Sequence, residues 1–216
     1  MDYNEHKKFF ETAYKTGSDI WTQLPIKERG KMLTEQLPPG SLILDVGSGR
    51  GFFAKQLAEI GYRVIGIDFE KNIVEKVNKE IKNWGLEGKL KFMEGDALDI
   101  PFEDNSFDAI CDLGLLEHLY KEDWSQYVSE INRVLKPGGF YLNVSLSRET
   151  QQFLEFIPKG SEHGDFEKYG VHYHFFSKEE IKDIFSSNLT SVKQGIEFVE
   201  KPNEIAFVET LFQKKK

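Results

Sequence analysis

The sequence predicts an α/β protein built on a doubly wound, mostly parallel sheet. Three observations carry this. Short β-rich runs alternate with stretches of helical spacing between Leu42 and Leu146, the pattern of βαβ units. The first run, Leu42–Val46 (LILDV), is apolar apart from Asp45, as befits a strand covered on both faces. After Ser147 the alternation stops and two β-like runs close the chain.

The elements follow in order. Met1–Leu37 is helix-prone, is broken by Gly17 and Pro25, and precedes the first strand, so it packs over the sheet or its ligand. Leu42–Val46 is a strand, Phe52–Ile60 a helix, Arg63–Ile67 a strand and Lys71–Lys82 a helix. Lys89–Met93 and Phe107–Asp112 are strands, Asp123–Leu135 a helix, and Phe140–Leu146 a strand entered through Pro137–Gly138–Gly139. Ser147–Phe176 mixes turn formers and aromatics without clear periodicity; Val171–Phe176 reads equally as a short strand or an extended lead into the next helix. Ser177–Ser186 is a helix with Ser177 and Glu180 at capping-box spacing. Ser191–Val199 and Glu204–Phe212 form a closing hairpin around Lys201–Pro202–Asn203. One domain is expected over 1–216, with a helical cap (1–37), a ligand-binding half (40–146), a cap insertion (147–176) and a closing helix and hairpin (177–216).

Composition narrows the function classes. The chain has 216 residues, 39% of them hydrophobic, enough for a core. Lys plus Arg is 28 and Asp plus Glu is 36, a net charge of −8, which disfavours general nucleic-acid binding. No apolar run approaches the roughly 20 residues of a spanning helix, and the opening MDYNEHKKFF is charged throughout. Cytoplasmic location without membrane insertion, as a monomer or homodimer, is the expectation. The single cysteine, Cys111, excludes an intramolecular disulfide and a multi-cysteine zinc site; set among apolar residues, it reads as an inert buried thiol.

The chemistry concentrates in Asp45-Val46-Gly47-Ser48-Gly49-Arg50-Gly51, between a strand and a helix. Glycines let the backbone turn tightly and approach a ligand closely. The helix beyond offers N–H groups and a positive dipole end, suited to a carboxylate or phosphate. A dinucleotide fingerprint is GxGxxG, but its third glycine falls on Phe52 here.

The motif acidic-x-Gly-x-Gly-x-Gly resembles the first motif of class I S-adenosylmethionine-dependent methyltransferases. Asp68 ends the second strand 17 residues after Gly51, Glu94-Gly95-Asp96-Ala97 follows the third, Phe107-Asp108-Ala109-Ile110 resembles the fourth-strand motif, and Leu135–Gly139 (LKPGG) resembles the turn before strand five. These matches cover Leu42–Leu146, about half the chain. The resemblance implies a Rossmann-like sheet of seven strands, the last antiparallel and inserted beside the fifth. It implies S-adenosylmethionine as cofactor, S-adenosylhomocysteine as product, and binding by Asp45, Gly47, Ser48, Gly49, Gly51, Asp68, Phe69, Asp96, Ala97, Leu113 and Gly114. Asp68 would accept from the ribose hydroxyls and Asp96 from the adenine amine. Asp68 also reads as a helix N-cap, and Asp96 as a turn former.

Methyl transfer from a sulfonium leaves a neutral thioether, so no general acid and no catalytic triad is required. Glu117 or His118, after the fourth strand, are candidate bases; His118 also reads as a structural hydrogen-bonding residue. Tyr14, Trp21, Tyr169, His172 and His174 are candidates to cover or bind the acceptor. His172 and His174 have metal-like spacing but no third ligand in sequence, Asp112 lacks companion carboxylates, and no metal is assigned. His163, in a Gly-flanked loop, reads as solvent-facing. The leading reading is methyl transfer to a small-molecule acceptor. The alternatives are a non-catalytic cofactor-binding regulator or complex subunit of the same fold, and a nicotinamide-dependent oxidoreductase, which Phe52 and LKPGG oppose.

Overall fold

β1 (Leu42–Val46) is the strand around which the sheet is built, buried along nearly its whole length. The computed structural model describes residues 3–19, 30–150, 161, 164–199 and 205–216. In chain order the described elements are α1 (Asn4–Thr16), α2 (Lys31–Thr34), β1, α3 (Phe52–Glu59), β2 (Arg63–Asp68), α4 (Lys71–Glu80), β3 (Leu90–Glu94), β4 (Phe107–Leu113), α5 (Lys121–Val134), β5 (Leu135–Leu146), β6 (Asp165–Lys168), β7 (Val171–His174), α6 (Lys178–Phe185), β8 (Leu189–Val199) and β9 (Ile205–Lys214). A single 3₁₀ turn, Leu116–His118, follows β4.

Seven strands form one sheet in the order β3-β2-β1-β4-β5-β9-β8. β1 pairs in parallel with β2 and β4. β9 runs antiparallel to both β5 and β8 and lies between them, which is the inserted last strand the family resemblance implies. Its first eight residues are all buried, as a strand with neighbours on both sides and cover on both faces requires. Alternation along β1 splits the core: Ile43 packs with Leu57, Val77, Phe92 and Val144 on one face, and Leu44 with Ile110, Tyr127, Ile131 and Phe185 on the other.

Several boundaries differ from the sequence expectation. α5 begins at Lys121 and ends at Val134, and β5 begins at Leu135 rather than Phe140. The LKPGG segment therefore lies within the strand's span: Leu135 faces Phe107, and the register shifts before Ala109 meets Phe140. Gly139 is required there, because a Cβ would fall 2.8 Å from the Asp108 carbonyl. Of the two readings of Val171–Phe176, the strand is the one found at Val171–His174, which pairs with β6 as a second hairpin outside the main sheet. Ser177 caps α6 by accepting from the Glu180 N–H at 3.1 Å, while the Glu180 carboxylate turns to His174 and Arg148. Trp21, Pro25, His163, the turn Lys201–Asn203 and part of the 147–176 segment lie outside the described residues.

Candidate active site

The parallel strands present their carboxyl ends at the point where chain connections leave β1 and β4 in opposite directions, the place where open α/β sheets bind ligands. The Gly47–Gly51 loop leaves β1 there. Its amides are already committed. Gly47 N–H and Ser48 N–H both donate to the Ile67 carbonyl at 2.9 Å, Gly51 N–H donates to the Ser48 carbonyl at 2.8 Å, and Gly49 N–H donates to Asp68 Oδ2 at 2.9 Å. The Ala54 N–H in the first turn of α3 turns to Asp45, whose buried carboxyl lies beneath the loop. Four of the loop's five amides, and the Ala54 N–H, thus have partners within the chain.

The carboxyls beneath and beside the loop are shielded from water. Burial, reinforced by Asp112 and Asp68, pushes the Asp45 carboxyl up to about 7. Burial pushes Asp68 up to about 6, against the backbone donors of Glu70 and Gly49. Asp68 Oδ1 accepts from Glu70 N–H at 2.9 Å, so the residue braces the loop against the start of α4. It is not that helix's N-cap. Glu70 is, accepting from Asn72 N–H and Ile73 N–H. A carboxylate has about four acceptor positions, and two on Asp68 are filled by these donors.

The other sites fall into place less uniformly. The Ser48 hydroxyl lies where a Gly66 Cβ would be 2.7 Å from it and has no hydrogen-bond partner, so it faces the sheet. Phe69, Ala97, Leu113 and Gly114 are half-buried at the strand ends. Asp96 is exposed and accepts from Leu98 N–H at 2.9 Å, the turn-forming reading. Gly114 N–H donates to the Val144 carbonyl at 2.9 Å, so a backbone contact from Gly114 to a ligand would come from its carbonyl. Cys111 is fully buried, with its thiol pushed well up by burial and by Asp45, hence inert.

Beyond β4, Asp112 is held by three side chains. Tyr127 and Tyr141 each donate to its Oδ2 at 2.6 Å, and Asn143 Nδ2 donates at 3.3 Å. This network fixes the start of the Leu113–His118 segment. Sequence reasoning missed it, because Tyr127 and Tyr141 read as core positions of a helix and a strand. Glu117 is buried with Oε2 unpartnered; burial and Asp112 push it up to about 8. His118 Nδ1 lies 2.9 Å from the His172 carbonyl, which only accepts, so Nδ1 carries the proton and Nε2 the lone pair. Burial drives His118 down to about 4.

The acceptor-side candidates separate. Tyr14 is buried, with its hydroxyl 2.8 Å from where a Gly49 Cβ would be. Gly49, at φ +49°, thus gives way to the Tyr14 side chain. Phe10 connects this end to the other: its ring lies 5.9 Å from Phe69 and 5.3 Å from His118. Tyr169 sits at the exposed turn between β6 and β7. His172 and His174 are buried against Asp165, at 3.5 and 3.4 Å, and His174 Nε2 lies 2.9 Å from Glu180. Among the described residues no group of three or more His, Cys, Asp or Glu is arranged to hold a metal, and no helix is long and apolar enough to cross a membrane.

In sequence and fold the chain is similar to known methyltransferases. The family model described as "Methyltransferase domain" matches residues 44–143. The chain is 38% identical over 106 residues to sterol 24-C-methyltransferase ERG6B of Gibberella zeae, covering 49% of this chain and 27% of that protein. It is 36% identical over 135 residues to demethylmenaquinone methyltransferase of Staphylococcus aureus, covering 61% of this chain and 51% of the relative. The chain thus spans about half or less of the length of these curated relatives. In fold it is similar to Burkholderia thailandensis 1,6-didemethyltoxoflavin-N1-methyltransferase, solved with 1,6-didemethyltoxoflavin and S-adenosylhomocysteine. The TM-score is 0.79 at 19% identity, over 98% of this chain and 88% of that one.

Proposed function

We propose that this chain, which belongs to the class I S-adenosylmethionine-dependent methyltransferases, binds S-adenosylmethionine over the Gly47–Gly51 loop and transfers its methyl group to a small-molecule acceptor. One observation carries the choice of cofactor. The loop's amides point inward to the Ile67 carbonyl, the Ser48 carbonyl and Asp68, with the Asp45 carboxyl underneath. A pyrophosphate needs outward N–H donors, and this loop offers few. A ligand with a sulfonium and an ammonium suits carbonyls and carboxyls instead. The residues present fit that group: Asp68 is held in place by two backbone donors and keeps acceptor positions for a ligand.

When bound, S-adenosylmethionine supplies an electrophilic methyl on a positively charged sulfur. The chain's own residues bind, orient and exclude water. Asp68 would receive the ribose hydroxyls on its remaining acceptor positions, Asp96 the adenine amine on the oxygen Leu98 leaves, and Phe69 and Ala97 the faces of the base. Alignment of acceptor and methyl is the main contribution, worth up to about 7–11 kcal/mol. Glu117 is the candidate base for an acceptor O–H or N–H: it is buried, its Oε2 lacks a partner, and, because burial raises it to about 8, it takes a proton only when ionised. His118, held neutral, offers Nε2 as a hydrogen-bond acceptor rather than a proton store. The names of the relatives, a sterol and a demethylmenaquinone methyltransferase, support a small organic acceptor.

The test is transfer of labelled methyl from S-adenosylmethionine to a panel of hydroxyl, amine, thiol and carbon acceptors. Acceptor-dependent labelling is expected, lost by tenfold or more (about 1.4 kcal/mol or more) in Glu117→Gln for O–H or N–H acceptors. Cofactor binding with no labelling of any acceptor would favour a binding protein of the same fold.

A further inference from the structure

Of the side chains in the Gly47–Gly51 loop, Ser48 turns towards the sheet and Arg50 reaches out to the segment that follows α1. Arg50 Nη2 donates to Asp19 Oδ1 at 2.7 Å, and Arg50 Nε donates to Asp19 Oδ2. The same Nη2 donates to the Tyr14 carbonyl at 3.0 Å, and the guanidinium lies 5.7 Å from the Tyr14 ring centroid. Asp19 is 2% exposed. Such a pair is held in place by two parallel bonds of fixed geometry.

We propose that the Asp19–Arg50 pair is a latch that holds the residues after α1 across the glycine loop and sets how fast the cofactor exchanges, with Arg50 as a positioning residue. The inference rests on the cofactor reading above. Its geometry is that of a strap. α1 ends at Gly17, in the left-handed region at φ +73°, with Ser18 N–H closing the end on the Ala13 carbonyl at 3.1 Å. The chain then turns so that Asp19 meets the loop. Ahead of the latch, Tyr14 stands on Gly49 and Phe10 meets Phe69. These are the two ends of the span that an aminoacyl group and a nucleoside would occupy, so a ligand lying along it passes beneath α1. Asp19 is the buried member of the pair, and the Arg50 side chain keeps 20% of its surface exposed. Opening the latch frees the strap without disturbing β1, because the loop's own amides bond to Ile67, Asp68 and Ser48.

Two readouts test this. The first is the dissociation rate of S-adenosylhomocysteine by stopped flow. Asp19→Asn and Arg50→Lys are each expected to speed release by about tenfold or more, and the exchanged pair Asp19→Arg with Arg50→Asp to restore slow release. The second, on ligand-free protein, is amide hydrogen exchange. Asp19→Asn is expected to speed exchange in residues 4–19 while leaving α5 unchanged. Unchanged release in both single variants overturns the proposal. So does faster exchange spread evenly over the chain, which would make the pair a general support of the fold. Absence of S-adenosylhomocysteine binding by the unaltered protein would overturn the cofactor reading instead; the exchange measurement would then still decide whether the pair closes the strap.

Discussion

At the residue scale, the site depends on what each polar group has already been given. Asp68 receives two backbone donors before any ligand arrives. Asp68→Ala leaves both N–H groups without their acceptor, at about 1–3 kcal/mol each. The expected outcome is a lower Tm together with ten- to a hundredfold weaker S-adenosylhomocysteine binding, roughly 1.4–2.8 kcal/mol. A fall in Tm with unchanged affinity would confine Asp68 to bracing the loop. Glu117 makes a pH prediction. Its folded value, about 8, lies above the ordinary 4.5, so the folded state keeps the proton longer than the unfolded one. The stability this group contributes is present below pH 4.5 and is lost as pH rises towards 8. Glu117→Gln removes that slope. Its Tm relative to the unaltered protein should rise steadily across this window, and a constant difference would show that Glu117 is not buried as described. These residues were partly legible in the sequence. Asp68 and Glu117 stand beside recognisable strand ends, but nothing in a linear chain showed that the loop amides face inward.

At the scale of elements, His172 bonds through its backbone to two other elements. His172 N–H donates to His6 Nε2 at 3.0 Å, and the His172 carbonyl accepts from His118 Nδ1 at 2.9 Å. α1, β7 and the 3₁₀ turn thus meet at His172, and rings pack on each of the three imidazoles: Tyr3 on His6, Tyr120 on His172 and Tyr173 on His118. Burial lowers all three imidazoles below their usual range. A lowered base contributes stability above pH 6.5 and loses it as pH falls, for His118 down to about 4. His118→Asn is expected to lose Tm at pH 7 and to converge with the unaltered protein towards pH 4. A difference independent of pH would leave the imidazole's titration out of the clasp. The sequence shows His172 and His174 at metal-like spacing with no third ligand, and no metal is assigned to them. The structure gives each a carboxylate neighbour from β6 or α6, a pairing set by the second hairpin and carrying no linear signature.

At the scale of the whole molecule, the alternating half from Leu42 to Leu146 was readable because the central strands β1 and β4 are largely buried and helical stretches alternate with the strands. The closing hairpin was readable from its β-rich runs, and the place of β9 beside β5 came from the family resemblance. Bond partners far apart in sequence were not readable: Arg50 with Asp19, Asp112 with Tyr127 and Tyr141, His6 with His172. No periodicity encodes them, and they determine the charge and the cover of the site. Inward-facing amides and buried carboxyls are expected to select an amino-acid nucleoside, through its ammonium and ribose hydroxyls, over a dinucleotide. Calorimetric titration with S-adenosylhomocysteine, with NAD as the control, tests this selection most directly. Micromolar binding of S-adenosylhomocysteine, about −8 kcal/mol, and no heat from NAD is the expected result; binding of NAD, or of neither, would contradict it.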